Sequence, residues 1–278
     1  MVVMQNFCQK LFCILVVILS VSVAQAENYI AKDGTNIDFA VSGAGEPLVM
    51  LHSGMMSRDD MAAQIDYFSN NYKVIAIDAR EQGRSGKSEQ QISYELMASD
   101  VIGVMDHLNI EKFNLFGQSD GAITALMVTH MHPQRVEKQI IHGAVYHYDA
   151  YPQSQRDRWK SVTWDKDSER DNDPNGFPGM AIESYLLGRK DLADFESHYQ
   201  EMAMMWATSP ALNKTDLNNI NIPTLVIVGD HYDISISHTV EMHEALANSE
   251  LFVVPGATHF VHQEKPDLLH RVMHDFLN

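Results

Sequence analysis

The sequence predicts an α/β fold: a mostly parallel sheet with helices on both faces and a helical lid inserted into the chain. Two observations predict this. Short apolar runs of strand length alternate with segments of helical spacing, which is typical of βαβ units with right-handed crossovers. The alternation stops at Tyr146 and resumes at Thr224, and the stretch between them has charge clusters and helical patterns but no evident strand. We therefore expect one domain over residues 27–278, with a lid over about 146–221.

The predicted elements follow one another along the chain. Asp33-Gly34 lies between strand-like runs over 28–31 and 35–41, and this arrangement predicts a β-hairpin. Further strands are predicted over 47–51, 73–77, 113–116, 139–141, 224–228 and 251–254. Helices are predicted over 60–68, 93–108, 122–128, 238–246 and 266–277, with a methionine-rich helical stretch over 191–206 in the lid. Ser93 is the predicted N-cap of its helix.

Residues 1–26 are predicted to be a cleavable signal peptide. Lys10 is the only charged residue before Glu27, and the apolar run over 11–23 is too short to span a bilayer. Ala24-Gln25-Ala26 then supplies the small-x-small pattern of a signal-peptidase site. We expect a mature protein that begins at Glu27 and is secreted or periplasmic. The alternative is an uncleaved N-terminal anchor.

Composition excludes several classes of function. Cys8 and Cys13 both lie in the predicted leader, so the mature chain would have no disulfide, thiolate zinc site or cysteine nucleophile. The formal net charge is −17, and it becomes −18 when Lys10 is removed, because the leader holds no acidic residue. Nucleic acids and anionic membranes are polyanions, so neither is an expected partner of so acidic a chain. We expect a small-molecule partner and no stable membrane association after cleavage; the oligomeric state stays open.

A serine nucleophile is predicted at Ser119. Gly117-Gln118-Ser119-Asp120-Gly121 has the pattern G-x-S-x-G and falls between a predicted strand and a predicted helix. A nucleophile elbow occupies this kind of strand-to-helix turn, and flanking glycines let the neighbouring backbone pass without a Cβ clash. The alternative is a glycine-rich turn without a catalytic role.

A serine hydroxyl needs a base to take its proton, and His259 is the predicted base. It follows the last strand through a short loop over 255–258, at the carboxyl edge of the sheet, where α/β folds bind ligands. Asp230 and Asp233 follow the preceding strand, and either carboxylate could hold the imidazole in the required tautomer. The chain order of the three groups is then Ser, Asp, His.

An oxyanion hole needs two backbone N–H donors. Asp120, directly after the nucleophile, is expected to supply one of them. The second is expected from His52-Ser53-Gly54-Met55, in the loop after the strand over 47–51. Gly54 is the preferred donor and Met55 the alternative, while His52 is expected to buttress this loop.

These motifs resemble those of the α/β-hydrolase superfamily, from about residue 28 to the end of the chain. Besides the elbow, Asp78-Ala79-Arg80-Glu81-Gln82-Gly83-Arg84-Ser85 is similar to the D-x-R-G-x-G-x-S loop of many members. Gly256-Ala257-Thr258-His259-Phe260 is similar to their histidine loop. The resemblance implies an α/β-hydrolase fold and a serine hydrolase that cleaves a small carboxylic ester or related acyl bond, without a cofactor. No metal is expected either, because His231, His259 and His262 lack an open set of ligands at helical spacing. The alternatives are C–C bond or lactone hydrolysis on the same triad, or a non-catalytic ligand-binding member.

The chain departs from the family pattern at two places. Glu81 stands where the loop usually has glycine, and Tyr232 stands at the expected position of the acid. Asp233, one residue beyond, is our preferred acid, followed by Asp230. Asp149 is a third candidate, because some relatives place the acid after the strand that follows the elbow helix.

Side chains of the lid bear on the substrate pocket. One set could line an adaptable apolar pocket: Met202, Met204, Met205 and Trp206, with Met55 and Met56 at the oxyanion loop. The alternative is that this helix face packs onto the body of the protein.

Overall fold

The computed structural model describes residues 25–162, 177–187, 194–232 and 234–278. Residues 1–24 of the predicted leader, two stretches of the predicted lid and Asp233 lie outside the described residues. The signal peptide and the acid at Asp233 therefore stay predictions.

One sheet contains all the named strands of the described residues. They are β1 (Gln25–Ile30), β2 (Asn36–Ser42), β3 (Glu46–Leu51), β4 (Tyr72–Ile77), β5 (Phe113–Gln118), β6 (Val136–His142), β7 (Thr224–Gly229) and β8 (Ser249–Val254). Their order in the sheet is β1-β2-β4-β3-β5-β6-β7-β8. β1 and β2 form the predicted hairpin, and β2 also runs antiparallel to β4. The other neighbouring pairs are parallel, which confirms the predicted sheet.

Helices fill the connections between the strands. They are α1 (Ala62–Phe68), α2 (Tyr94–His107), α3 (Asp120–Met131), α4 (Gln153–Lys160), α5 (Phe177–Leu186), α6 (Phe195–Thr208), α7 (Lys214–Asn218), α8 (Ile236–Ala245), α9 (Val261–Glu264) and α10 (Pro266–Leu277). α2 begins at the predicted cap, where the side chain of Ser93 accepts a hydrogen bond from the N–H of Leu96.

β3 illustrates how the sheet is buried on both faces. Its side chains alternate, so that Leu48 and Met50 pack in an apolar cluster with residues of α1 and α10. Val49 and Leu51 pack in a second cluster, with residues of α2 and α3. Helices on both faces are thereby confirmed. With both faces covered, the carboxyl edge is where a ligand can reach the strand ends.

The predicted lid lies in the chain between β6 and β7. Its described residues contain α4 to α7 and an isolated β-bridge between His147 and Ala211, but no longer strand. α4 packs against α6, with the rings of Trp159 and Trp206 5.7 Å apart. Movement of this segment as a lid stays a prediction. None of the helices in the described ranges is long and apolar enough to cross a membrane.

Candidate active site

Ser119 lies between the last residue of β5 and the first residue of α3. Its backbone has φ 54° and ψ −118°, a conformation that costs free energy for any residue with a Cβ. A Cβ on Gly117 would lie 2.3 Å from the carbonyl oxygen of Gly121, and one on Gly121 would lie 2.1 Å from that of Leu51. Both glycines are therefore required for the strained turn that presents Ser119 at the carboxyl edge of the sheet.

A cavity of about 380 Å³ lies beside this turn. Ser119, His259, Gly54 and Asp120 all line it, so the structure brings four of the predicted site residues together. Much of the remaining wall is aromatic: Tyr151, Trp159, Tyr199, Trp206, Tyr232 and Phe260. Such a size is in the range of sites for small organic molecules.

His259 is held against one wall of this cavity. Its ring stacks on Tyr232, with centroids 4.4 Å apart and an angle of 18° between the planes. Gly143 makes room for it, since a Cβ there would lie 2.9 Å from the imidazole. Burial, and after it the charge of His262, lowers the pKa of His259 to about 4. The ring is therefore neutral at pH 7 and able to accept a proton.

The Nε2 atom of His259 lies 3.3 Å from the side-chain amide nitrogen of Gln118. An amide nitrogen only donates, so Nε2 accepts and the ring proton lies on Nδ1. This is the tautomer that a general base needs. No hydrogen bond among the described residues joins Nε2 to the hydroxyl of Ser119, a geometry that is common in ligand-free sites.

The two alternative acids are engaged elsewhere. Oδ1 of Asp230 accepts hydrogen bonds from the N–H of Gly256 at 2.7 Å and of Ala257 at 3.4 Å, so Asp230 holds the histidine loop. Asp149 has an exposed side chain that lies 3.2 Å from His147 and 3.4 Å from Arg156. Neither side chain lines the cavity. Asp233, the preferred acid, lies outside the described residues.

The structure distinguishes the two candidate donors of the oxyanion loop. The N–H of Met55 donates to Oε1 of Gln82 at 2.7 Å, so it is already used. The N–H of Gly54 has no acceptor among the described residues, and Gly54 lines the cavity. Asp120 is the first residue of α3, and its N–H is one of those that a helix leaves without an internal partner. Of the two loop residues, the geometry favours Gly54.

His52 ties the oxyanion loop to the loop that follows β4. Its Nε2 accepts a hydrogen bond from the N–H of Ala79 at 2.9 Å, so its Nδ1 donates to the carbonyl of Ser53 at 2.7 Å. The ring is buried, and burial lowers its pKa. His52 therefore buttresses the loop, as expected from the sequence.

Glu81 adopts the conformation that glycine usually supplies at its position. Its φ is 59°, and its side chain is buried. One carboxylate oxygen accepts from the N–H of Ser88 at 2.8 Å, and the other lies 3.5 Å from Nδ1 of His198 in α6. These two contacts offset the backbone strain and explain why the chain tolerates a departure from the family pattern here.

The side chain of Asp120 is a feature that sequence reasoning missed. It is buried, and its two oxygens accept hydrogen bonds from the hydroxyl of Tyr94 at 2.8 Å and from the indole N–H of Trp206 at 2.7 Å. Burial raises the pKa of Asp120 to about 6, although the two hydrogen bonds act in the opposite direction. A Cβ on Gly54 would lie 1.9 Å from its Oδ2, so this carboxyl group also requires glycine in the oxyanion loop.

One face of α6 carries the contacts that join it to the body. His198, Met202 and Trp206 are spaced by four residues, so they lie one above another on the helix. Their partners are Glu81, Gln82 and Asp120 respectively. Asp120, the last of these partners, directly follows Ser119, so α6 is joined to the turn between β5 and α3.

The structure corrects the suggested methionine lining of the pocket. Of that set only Trp206 lines the cavity. Met55, Met56, Met202 and Met205 are buried in the protein, whereas Met204 is 38% exposed. Helix periodicity identified the apolar residues of α6 but not the direction in which each would point, and the alternative of packing onto the body is the correct one for the buried methionines.

The part of the chain that the structure describes holds no group of three or more His, Cys, Asp or Glu side chains placed to hold a metal ion.

Comparison with known proteins gives consistent matches. A family model described as "alpha/beta hydrolase fold" matches residues 46–266. A "Putative esterase/lipase" of Haemophilus influenzae is 28% identical over 240 residues, which cover 83% of each chain. "Serine hydrolase BPHL" of Mus musculus is 24% identical over 263 residues, covering 89% of this chain and 85% of that protein. A crystal structure of a hydrolase from Pseudomonas aeruginosa PA01 superimposes with a TM-score of 0.76 at 20% identity, covering 91% of this chain and 98% of the other.

Proposed function

This chain belongs to the α/β-hydrolase family, and from that premise we propose that it is an exported serine hydrolase of small carboxylic esters or related acyl bonds. One observation carries the proposal. Ser119, on a strained turn, lines the same cavity as the neutral imidazole of His259 and the two residues with available N–H groups, Gly54 and Asp120. A nucleophile, a base and two donors around one small cavity are the parts that acyl transfer needs.

The reaction proceeds in two halves. Ser119 Oγ attacks the carbonyl carbon of the substrate while its proton passes to Nε2 of His259, which turns from Gln118 to the serine. The carbonyl oxygen becomes an oxyanion and accepts hydrogen bonds from the N–H groups of Gly54 and Asp120. His259 then gives its proton to the departing alcohol, and an acyl-enzyme remains.

Water completes the cycle. It attacks the acyl carbon while His259 takes one of its protons, and the imidazolium returns that proton to Ser119 Oγ as the carboxylic acid leaves. Asp233 is proposed as the acid that holds the imidazole during both halves. Hydrolysis of a lactone or a C–C bond would use the same groups.

Export is proposed on the pattern of residues 1–26. Cleavage after Ala26 places Glu27 at the N-terminus of a secreted or periplasmic protein. Mass spectrometry of the exported protein tests this directly, and recovery of the intact leader on a cytoplasmic protein contradicts it.

A fluorophosphonate probe separates an enzyme from a ligand-binding member of the family. Ser119→Ala should abolish labelling and the turnover of short-chain p-nitrophenyl esters, because it removes the attacking oxygen. Ser99→Ala, at an exposed position of α2, is the matched control and should label as wild type does. Wild type that neither labels nor turns over esters, lactones or C–C substrates would favour the binder. Labelling that survives in Ser119→Ala refutes the nucleophile.

A further inference from the structure

Three aromatic residues of the segment between β6 and β7 form one wall of the cavity. Tyr151 and Trp159 meet edge to face, with ring centroids 4.8 Å apart and an angle of 77° between the planes. The rings of Trp159 and Trp206 lie 5.7 Å apart at an angle of 54°. All three residues line the cavity, and we call them the aromatic wall. Because each ring packs on the next, the wall presents adjoining π surfaces to a bound molecule.

A hydrogen bond fixes Trp206 next to the turn that carries Ser119. The indole N–H donates to Oδ2 of Asp120 at 2.7 Å, the short distance that is typical of a bond to a charged group. The other oxygen of Asp120 accepts from the hydroxyl of Tyr94 at 2.8 Å, so the carboxyl group is itself held from two sides. The backbone N–H of Asp120 is one of the two proposed oxyanion donors. Asp120 therefore ties the position of the indole ring to that of the oxyanion hole.

The aromatic rings on the histidine side of the cavity have a different role. The imidazole of His259 stacks on Tyr232, and Phe260 meets the imidazole edge to face with centroids 5.4 Å apart. Both rings thus hold the proposed base. The three rings of the aromatic wall make no such contact with His259 and keep part of their surface exposed. The aromatic wall is therefore the part of the lining that is placed to contact a substrate.

The charge beside the aromatic wall is negative. The carboxyl group of Asp120 lies between two neutral donors, the hydroxyl of Tyr94 and the indole of Trp206. Burial raises the pKa of Asp120 to about 6, so the group is still mostly ionised at pH 7. The formal net charge of the whole chain, −17, has the same sign. A carboxylate or phosphate on a substrate would be repelled at this wall, most strongly where the cavity excludes water.

We propose that Trp206 is the specificity-determining residue of this site and that it selects esters with an aromatic ring that bears no negative charge. The substrate ring packs on Trp159 and Trp206 while its carbonyl lies at Ser119. The side chain of Asp120 is a positioning group: it fixes the indole before the substrate arrives, and a preformed surface costs less free energy to bind. The ring can belong to the acyl or to the alcohol part of the ester. This inference rests on the proposed function and names its substrate class.

Matched pairs of esters measure the preference. Ethyl phenylacetate and ethyl cyclohexylacetate differ only in whether the ring of the acyl part is aromatic, and benzyl acetate and cyclohexylmethyl acetate make the same comparison in the alcohol part. A cyclohexyl ring has at least as much apolar surface as a phenyl ring, so a pocket that is only apolar would not favour the aromatic ester. Wild type should prefer the aromatic ester of one pair about fivefold in kcat/KM, the size of an aromatic contact. A para-carboxylate on the preferred ring should lower kcat/KM about tenfold or more, and a para-methyl group should not.

Variants assign this preference to Trp206. Trp206→Leu should bring the aromatic-to-cyclohexyl ratio of kcat/KM to about one or below. Asp120→Ala removes the acceptor of the indole N–H and should lower the same ratio, whereas Asp120→Asn keeps an acceptor and should retain it. A variant that only loses active protein does not change the ratio of two substrates. Met204→Ala, on the same helix, is the matched control, because Met204 is 38% exposed and does not line the cavity.

Two outcomes overturn the proposal: a wild-type ratio of one or below in both pairs, or a wild-type preference that Trp206→Leu retains. A para-carboxylate that leaves kcat/KM unchanged overturns the exclusion of negative charge. If Trp206→Leu does not fold, the wild-type ratios and Trp206→Phe decide, since phenylalanine keeps a ring without the N–H and should give a lower ratio. If wild type hydrolyses no ester, the proposed function fails. Calorimetry with the matching ketones, in which a methylene group replaces the ester oxygen, then still measures the preference for an aromatic ring.

Discussion

The buried carboxyl group of Asp120 makes a quantitative prediction about how stability depends on pH. Asp120→Asn keeps the shape of the side chain and its backbone N–H but removes the titration. Asparagine still fits the site, because its Oδ1 can accept from Trp206 and its amide can donate to the hydroxyl of Tyr94, which can turn to accept. We therefore expect the substitution to change how the free energy of unfolding depends on pH more than it changes the packing.

The sign and the size follow from the pKa. Folding raises the pKa of Asp120 from 3.8 to about 6, so the folded protein binds this proton more tightly than the unfolded chain. The bound proton of Asp120 therefore adds to the free energy of unfolding. This contribution is close to its full size below about pH 4 and is lost as the pH rises through 6. Each unit by which folding shifts a pKa corresponds to about 1.4 kcal/mol. Deprotonation of Asp120 therefore lowers the wild-type free energy of unfolding by up to about 3 kcal/mol.

Urea denaturation from pH 3.5 to pH 7.5 measures this loss as a difference between two proteins. Other groups titrate in both proteins and cancel. The free energy of unfolding of Asp120→Asn minus that of wild type should therefore rise by about 3 kcal/mol between pH 3.5 and pH 7.5, with about 2 kcal/mol of the rise between pH 4 and pH 6. The difference should be level above about pH 7. Asp66→Asn, an exposed change on α1, controls for the substitution itself. If the difference in free energy of unfolding between Asp120→Asn and wild type does not change with pH, burial does not raise the pKa of Asp120.

Three further predictions use other parts of the structure. Gly143→Ala and Gly256→Ala place a Cβ at similar φ values of 66° and 64°, so both should lose about 1 kcal/mol of stability. Only Gly143→Ala should also lower kcat, because its Cβ would lie 2.9 Å from the imidazole of His259. The Cβ of Gly256→Ala would meet no atom within 4 Å, so this variant is the control. Equal kcat values in the two variants would contradict the prediction. Arg80→Ala should lower the free energy of unfolding by about 3–5 kcal/mol, because it leaves a buried aspartate without its bidentate partner; a loss below 1 kcal/mol in urea denaturation would show that the pair contributes little. N-terminal sequencing of the exported protein should begin at Glu27, and a longer N-terminus would place the cleavage site elsewhere.

Local patterns in the sequence were enough to predict the fold. The apolar run over 47–51 became β3, and the Asp33-Gly34 turn joins β1 to β2. Periodicity suffices here because a strand buried on both faces, a capped helix and a tight turn each depend on neighbours close in the chain. The order of the strands in the sheet depends on pairing between distant segments, and it came only from the structure.

In the candidate active site, too, some features could be predicted from the sequence and others could not. The common position of Ser119 and His259 could be predicted from sequence, because Ser119 directly follows β5, His259 follows β8 through a short loop, and the carboxyl ends of parallel strands meet at one edge. The choice between Gly54 and Met55 needed the contact of Met55 with Gln82, a residue 27 positions away. No local signal encodes such a contact.

What the sequence by itself determined is the class of protein: an α/β fold, a serine at an elbow, and a histidine at the same edge. Only the tertiary structure decided which side chains surround them. Trp206 reaches the carboxyl group of Asp120 across 86 residues, and His142 lies between two histidines from the other end of the chain. The reason is physical: strand and helix periods follow from the backbone of one segment, whereas burial, the pKa of a carboxyl group and the tautomer of an imidazole depend on which distant segments exclude water from it.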